Sequence, residues 1–67
     1  MQPTDDMKAI LDFLKLFRIA SAPEISFCTQ IEEWRTEIDL QDMADEGWLT
    51  LSIDSEGNTV ARIINHE

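Results

Sequence analysis

Apolar residues recur along this chain in three helical stripes followed by one alternating stretch. Met7, Ile10, Leu11, Leu14 and Phe17 are spaced three and four apart. That period predicts a first helix over residues 5–19. Thr4 can cap it, Asp5 and Asp6 suit its positive end, and Arg18 suits its last turn. Phe13 widens the apolar arc and Leu16 lies beyond it, which is more apolar width than a small core uses. Ser21-Ala22-Pro23-Glu24 reads as a capping box with Pro23 in the first turn. Ile25, Phe27, Cys28, Ile31 and Trp34 then share half a helical wheel, predicting a second helix over 22–34. Ile31, Trp34 and Ile38 share a face that Leu40, Met43 and Ala44 do not continue. This phase break places a turn at Arg35-Thr36-Glu37, with Thr36 or Asp39 capping a third helix. Gly47 suits the left-handed position that ends it.

Beyond Trp48 the period becomes two. Leu49-Thr50-Leu51-Ser52-Ile53 alternates, Asp54-Ser55-Glu56-Gly57-Asn58 is a turn cluster, and Thr59–Ile64 is rich in β-branched residues. Together they predict a hairpin, which must pack on the helices to be stable. The expected fold is therefore α+β: three helices followed by a C-terminal β-hairpin, one domain over 1–67 with residues 1–4 and 65–67 frayed.

This order of elements, with the third helix closing on Glu46-Gly47-Trp48-Leu49, resembles the winged helix-turn-helix superfamily. The resemblance covers residues 5–64. It implies that Leu40 and Met43 seat the third helix on the core and that the hairpin is the wing. Family members that bind DNA carry basic and small polar residues on that helix and a basic residue in the wing. Here the third helix offers Asp39, Asp42, Asp45 and Glu46, and the wing turn offers Asp54 and Glu56.

Charge sharpens this departure. Fourteen acids against five bases give a net charge of −9. Residues 1–20 are neutral, whereas residues 24–46 hold eight acids and one base, Arg35. Carboxylates in a row repel phosphate, so the surface that would face a DNA groove has the wrong sign for it. An acidic run has two readings, a solubilising surface or a docking face for a basic partner. The docking reading names Glu32, Glu33, Glu37, Asp39, Asp42, Asp45 and Glu46, including mimicry of the DNA phosphate line. Lys8, Lys15, Arg18, Arg35 and Arg62 would serve the alternative, a small dimeric DNA-binding regulator.

Other chemistry finds little support. Four acids spread along a helix do not converge as calcium ligands do, and the turn cluster lacks the ligand pattern of an EF-hand. The single cysteine, Cys28, reads as a small buried hydrophobe, and His66 stands at the terminus. Trp34 and Trp48 read as core. No glycine-rich phosphate loop is present, and no cofactor or metal is expected. The chain also shows no leader-like basic-then-apolar start, which with a free thiol fits the cytoplasm. Below about 70 residues an unstapled core is marginal, so pairing of two copies through Phe13, Leu16 and Ile19 is expected. The sequence thus predicts a non-catalytic, acidic, winged-helix-like module that acts on a basic or DNA-binding protein. By analogy it suits a modulator of transcription, of the kind phages and mobile elements carry.

Overall fold

The computed structural model describes residues 3–64. Its elements run α1 (Asp5–Phe17), β1 (Ile19–Ser21), α2 (Ala22–Thr29), α3 (Glu33–Asp45), β2 (Leu49–Ile53) and β3 (Thr59–Ile63). The three strands form one antiparallel sheet in the order β1-β3-β2. The α+β class and the three helices ahead of a C-terminal hairpin are as the sequence predicts. Residues 65–67, His66 among them, lie outside the described residues. Thr4 is part of the fold, since its hydroxyl accepts the Met7 N–H at the start of α1.

One core joins all three helices to the sheet. Met7, Ile10 and Leu14 come from α1, Ala22 and Ile25 from α2, Leu40 and Met43 from α3. Ala20, Leu49 and Ala61 complete it from the three strands. Each helix therefore contributes a short stripe, and Leu40 and Met43 do seat α3 on the core.

The largest departure of the helix boundaries from the periodicity is between α2 and α3. α2 ends at Thr29, five residues before the expected end, and α3 begins at Glu33 rather than beyond Glu37. Gln30 takes the left-handed conformation (φ 64°, ψ 25°), and its N–H bonds to the Ser26 carbonyl. Two hydroxyls secure this turn. Ser26 donates to the Ile31 carbonyl, and Thr29 donates to the Ile25 carbonyl at 2.6 Å. Thr36 and Asp39 cap nothing: both lie buried in the body of α3. Thr36 donates to the Glu32 carbonyl at 3.0 Å. The phase argument misplaced the turn because it took Trp34 and Ile38 for core residues. They are 58% and 50% exposed.

A second departure is β1, which the sequence did not announce. It is three residues long and lies between the end of α1 and the Ser21 cap. Arg18 ends α1 at positive φ (70°), two residues before the expected end, with its N–H on the Leu14 carbonyl. The chain then pairs with β3, Ile19 opposite Arg62, Ala20 opposite Ala61 and Ser21 opposite Val60. Ser21 closes the strand and opens α2 through the expected capping box. Its N–H and hydroxyl donate to Glu24 Oε1 at 2.9 and 3.0 Å. Those bonds hold the Glu24 carboxyl below the usual carboxylate range.

The hairpin follows the sequence closely. Leu49 is buried and Leu51 half-buried, whereas Thr50 and Ser52 face out. Ile53 continues the inward phase but passes the edge of the core and is 67% exposed. In the turn, Asp54 Oδ1 accepts the N–H groups of Glu56 and Asn58, both at 2.9 Å. The Asn58 bond is foremost in keeping the Asp54 carboxyl acidic.

Gly47 follows the last turn of α3 at φ 82°, and no heavy atom beyond its chain neighbours lies within 4 Å of where a Cβ would stand. Any penalty for a side chain there is backbone strain, not a clash. Gly47→Ala is expected to cost about 1 kcal/mol in urea denaturation.

Candidate functional site

The outward strip of α3 is set by its inward one. Thr36, Asp39, Leu40 and Met43 point to the interior. At 3.6 residues per turn the opposite strip runs through Trp34, Ile38, Gln41 and Asp45. Glu33 and Glu37 flank it on one side and Asp42 on the other, and all seven of these residues are exposed. Glu32, just before the helix, and Glu46, just after it, are exposed as well. Gln41 donates to Asp45 Oδ1 at 3.2 Å one turn on.

Six of the seven acids expected on this face are therefore on the surface of α3 or its ends. The seventh is not. Asp39 is 2% exposed and faces inward. Asp39 lies three residues after Thr36 and four before Met43, so the helix face that buries those two carries it inward as well. Asp39 Oδ1 lies 3.7 Å from Arg35 Nε, and Asp39 Oδ2 is buried without a hydrogen-bond partner. Arg35 Nε also lies 3.6 Å from Asp6 of α1. The only basic residue between positions 24 and 46 is thus paired with Asp6 and Asp39, with about half of its side chain exposed.

Burial pushes the Asp39 carboxyl above the usual carboxylate range. Arg35 opposes that rise, while Asp6 and Asp42 add to it. A carboxyl whose pKa is raised by folding favours the folded state while protonated and disfavours it once ionised. Its cost therefore appears as pH rises through the folded-state pKa, and Arg35 offsets part of it.

Glu37 and Gln41 also form one wall of a hollow whose other wall is the hairpin, from Leu51, Ser52, Ile53 and Thr59. A neighbouring hollow at the start of α3 is lined by Asp6, Gln30, Ile31, Glu32, Trp34 and Arg35. Exposed apolar groups and acids thus alternate from one end of α3 to the hairpin. The sequence reading missed the apolar members, Trp34, Ile38 and Ile53. A helix starting at Glu33 puts Trp34 and Ile38 one turn apart and opposite Leu40. Trp48 is half-buried against the core as expected.

The bases of the alternative reading lie elsewhere. Lys15 and Arg18 line one hollow with Ile63 and Ile64, and Arg18 and Arg62 line the next with Ile19 and Ile63. Three of the five bases therefore gather where α1 ends against β1 and β3. Lys8 is exposed nearer the start of α1, and Arg35 is engaged as described.

A second surface is apolar. A groove of about 490 Å³ runs between α1, β1 and α2, lined mainly by Phe13, Phe17, Ile19, Pro23, Phe27 and Cys28. Phe13 and Phe17 stack at 4.7 Å between ring centroids, tilted by 36°. Phe27 is 84% and Leu16 79% exposed. Of the residues expected to pair two copies, Leu16 and Ile19 are exposed, and Phe13 is half-buried against the core. Cys28 is exposed rather than buried: with Ala22 and Ile25 turned inward, it falls on the side of α2 that borders the groove.

Among the described residues no three His, Cys, Asp or Glu side chains cluster to hold a metal ion. No described helix is long and apolar enough to cross a membrane. Compared with known proteins, the sequence matches no family model and no curated protein.

Arg35→Ala is expected to destabilise the fold by about 1–2 kcal/mol near pH 7, between the ~0.2–1 kcal/mol of an exposed pair and the ~3–5 kcal/mol of a broken buried one, because Arg35 is half exposed. The loss should shrink as the pH is lowered and Asp39 takes up a proton. Urea denaturation at about pH 7 and about pH 4 measures both. An unchanged penalty at the lower pH would show that the Arg35 effect is packing alone.

Proposed function

We infer that this protein is a non-catalytic, winged-helix-like interaction module of the cytoplasm that docks a basic or DNA-binding protein through α3. The element order, with a short strand between the first two helices and a hairpin after the third, supports the winged-helix reading. In that arrangement α3 and the hairpin are the parts that meet a partner. The observation that carries the function is the exposure of Glu32, Glu33, Glu37, Asp42, Asp45 and Glu46 while Arg35, the one base among them, is paired with Asp6 and Asp39. Phosphate is repelled by such a face, and a cationic protein surface is steered toward it. Modulation of transcription, including that of phages and mobile elements, is the setting this chemistry suits.

The alternative, a dimeric DNA-binding regulator, has one feature in its favour: Lys15, Arg18 and Arg62 gather at one corner. Gel retardation with duplex DNA separates the two. The docking reading expects no shift at low salt. A shift that weakens steeply with salt and is lost on Arg18→Ala and Arg62→Ala establishes the alternative. Conversely, a basic protein retained from lysate, identified and purified, should bind wild type and lose at least about tenfold in affinity on Asp42→Lys with Asp45→Lys. Unchanged affinity would place docking elsewhere.

Pairing of two copies belongs to the same reading. Leu16, Phe17, Ile19 and Phe27 together leave on the order of 500 Å² of apolar surface, most of the ~800 Å² a stable interface takes from each partner. A second copy, meeting the first about a two-fold axis, would cover the groove between α1, β1 and α2. Sedimentation equilibrium should then give twice the 7.7 kDa chain mass. Leu16→Glu with Phe27→Glu, both at exposed positions, should return it to the monomer with helix content intact. A monomeric wild type at high concentration would remove the pairing.

A further inference from the structure

We propose that the partner segment held by α3 is a basic amphipathic helix, anchored on Trp34, Ile38 and Ile53 and flanked by acids. This rests on the docking reading above and names the partner's chemistry. Acids alone would accept any cation, but the strip is not made of acids alone. Trp34 and Ile38, one turn apart, are 58% and 50% exposed, and Ile53 across the Glu37–Gln41 hollow is 67% exposed. A solubilising surface does not place a tryptophan and an isoleucine in water one turn apart, with a second isoleucine exposed on the hairpin across the hollow. A purely electrostatic contact does not use them either.

The charge pattern decides the occupant. Glu33 and Glu37 lie along one side of the strip, Asp45 at its far end, and Asp42 along the other side with Arg35, whose charge Asp6 and Asp39 offset. A partner must therefore be apolar along its middle and cationic chiefly along the Glu33–Glu37 margin and toward Asp45. DNA offers the opposite sign at its margins. A second copy of this chain fits poorly, because its most exposed apolar side chain, Phe27, lines the other groove. The geometry favours a helix over an extended strand. From Trp34 to Asp45 the strip spans eleven residues, about 16 Å. That length matches two to three turns of a partner helix whose apolar groups recur at i, i+3, i+4 and i+7. Trp34 is the expected hot spot, since a large amphipathic ring is desolvated there at low entropic cost. The acids contribute encounter rate and salt dependence, and the apolar anchors contribute residence time.

The test compares two synthetic peptides of about sixteen residues, equal in net charge. One places leucines at i, i+3, i+4 and i+7 among lysines, and the other replaces each leucine by serine. Binding is measured by surface plasmon resonance on the full chain at about 0.15 M salt. The leucine peptide should bind at least about tenfold more tightly. Trp34→Ala and Ile38→Ala should speed its dissociation about tenfold or more, with little change in salt dependence. Asp42→Lys with Asp45→Lys should slow association and flatten the salt dependence instead. Leu16→Glu with Phe27→Glu should leave binding unchanged. Both anchors are exposed, so their variants are expected to keep the wild-type circular dichroism.

Equal affinity of the two peptides, or wild-type dissociation from Trp34→Ala and Ile38→Ala, overturns the anchored helix and leaves the electrostatic docking standing. Binding lost on Leu16→Glu with Phe27→Glu puts the peptide in the other groove and overturns it too. If neither peptide binds the wild type, the basic partner itself is wrong and both readings fall.

Discussion

The rotational setting of α3 is the constraint from which the rest of the molecule follows. Thirteen residues must bring Leu40 and Met43 against Met7, Ile10 and Leu14 of α1 and Leu49 of β2. Two large apolar residues on one face are enough to fix the rotation, because a turn of even one residue would expose one of them. Once it is fixed, Thr36 and Asp39 have no choice but to enter the interior with them. Trp34 and Ile38 have no choice but to leave it. The buried polar pair and the exposed apolar pair are two consequences of the same rotation.

The interior half of that compromise is tolerable because both polar groups are local. Thr36 returns its hydroxyl to a carbonyl one turn back, which costs the helix little. Asp39 is the harder case, with one oxygen near Arg35 and the other without a partner. A carboxylate taken out of water loses hydration that one cation at 3.7 Å replaces only in part. Arg35 is thereby paired with both Asp39 and Asp6, which ties α3 to α1. The same pairing offsets the one positive charge on the flank of α3. Electrostatics inside the fold and on its surface are therefore linked through one arginine.

Most of the local structure was legible in the chain because it is encoded by groups that act within four residues. The Thr4 and Ser21 caps, the Gly47 stop and the Asp54 turn each rest on a side chain or a backbone angle that its own neighbours satisfy. The boundary between α2 and α3 was not legible for a reason equally physical. Periodicity reports which residues share a face, but not whether that face is wet or dry. Ile31, Trp34 and Ile38 form a good stripe, and reading it as core moved the turn by five residues. The polar signals that fix the turn, the Ser26 and Thr29 hydroxyls and the left-handed Gln30, are individually weak in sequence. β1 was invisible because three residues carry no period at all. Its pairing with β3 is a tertiary event. The acidic surface was legible almost whole, since net charge along a segment survives an error in register. Asp39 is the exception, being the one acid whose role depends on rotation.

Among the described residues the core has only ten buried apolar side chains, three of them the alanines Ala20, Ala22 and Ala61. Larger apolar groups remain outside than inside: among the described residues no buried position carries an aromatic ring, whereas Phe17, Phe27 and Trp34 are exposed. A chain selected only for a stable, soluble monomer would invert that distribution, because rings supply the most burial per residue. The exposed rings also fall into two separate sets rather than being scattered. Phe17 and Phe27 flank a groove with few acids, and Trp34 stands within the acidic strip. Hydrophobic surface without charge complementarity suits a contact with itself, which two-fold symmetry makes from one patch. Hydrophobic surface framed by one sign of charge suits a contact with something else. The separation of the rings by charge environment is what divides this small surface into two interfaces of different kind.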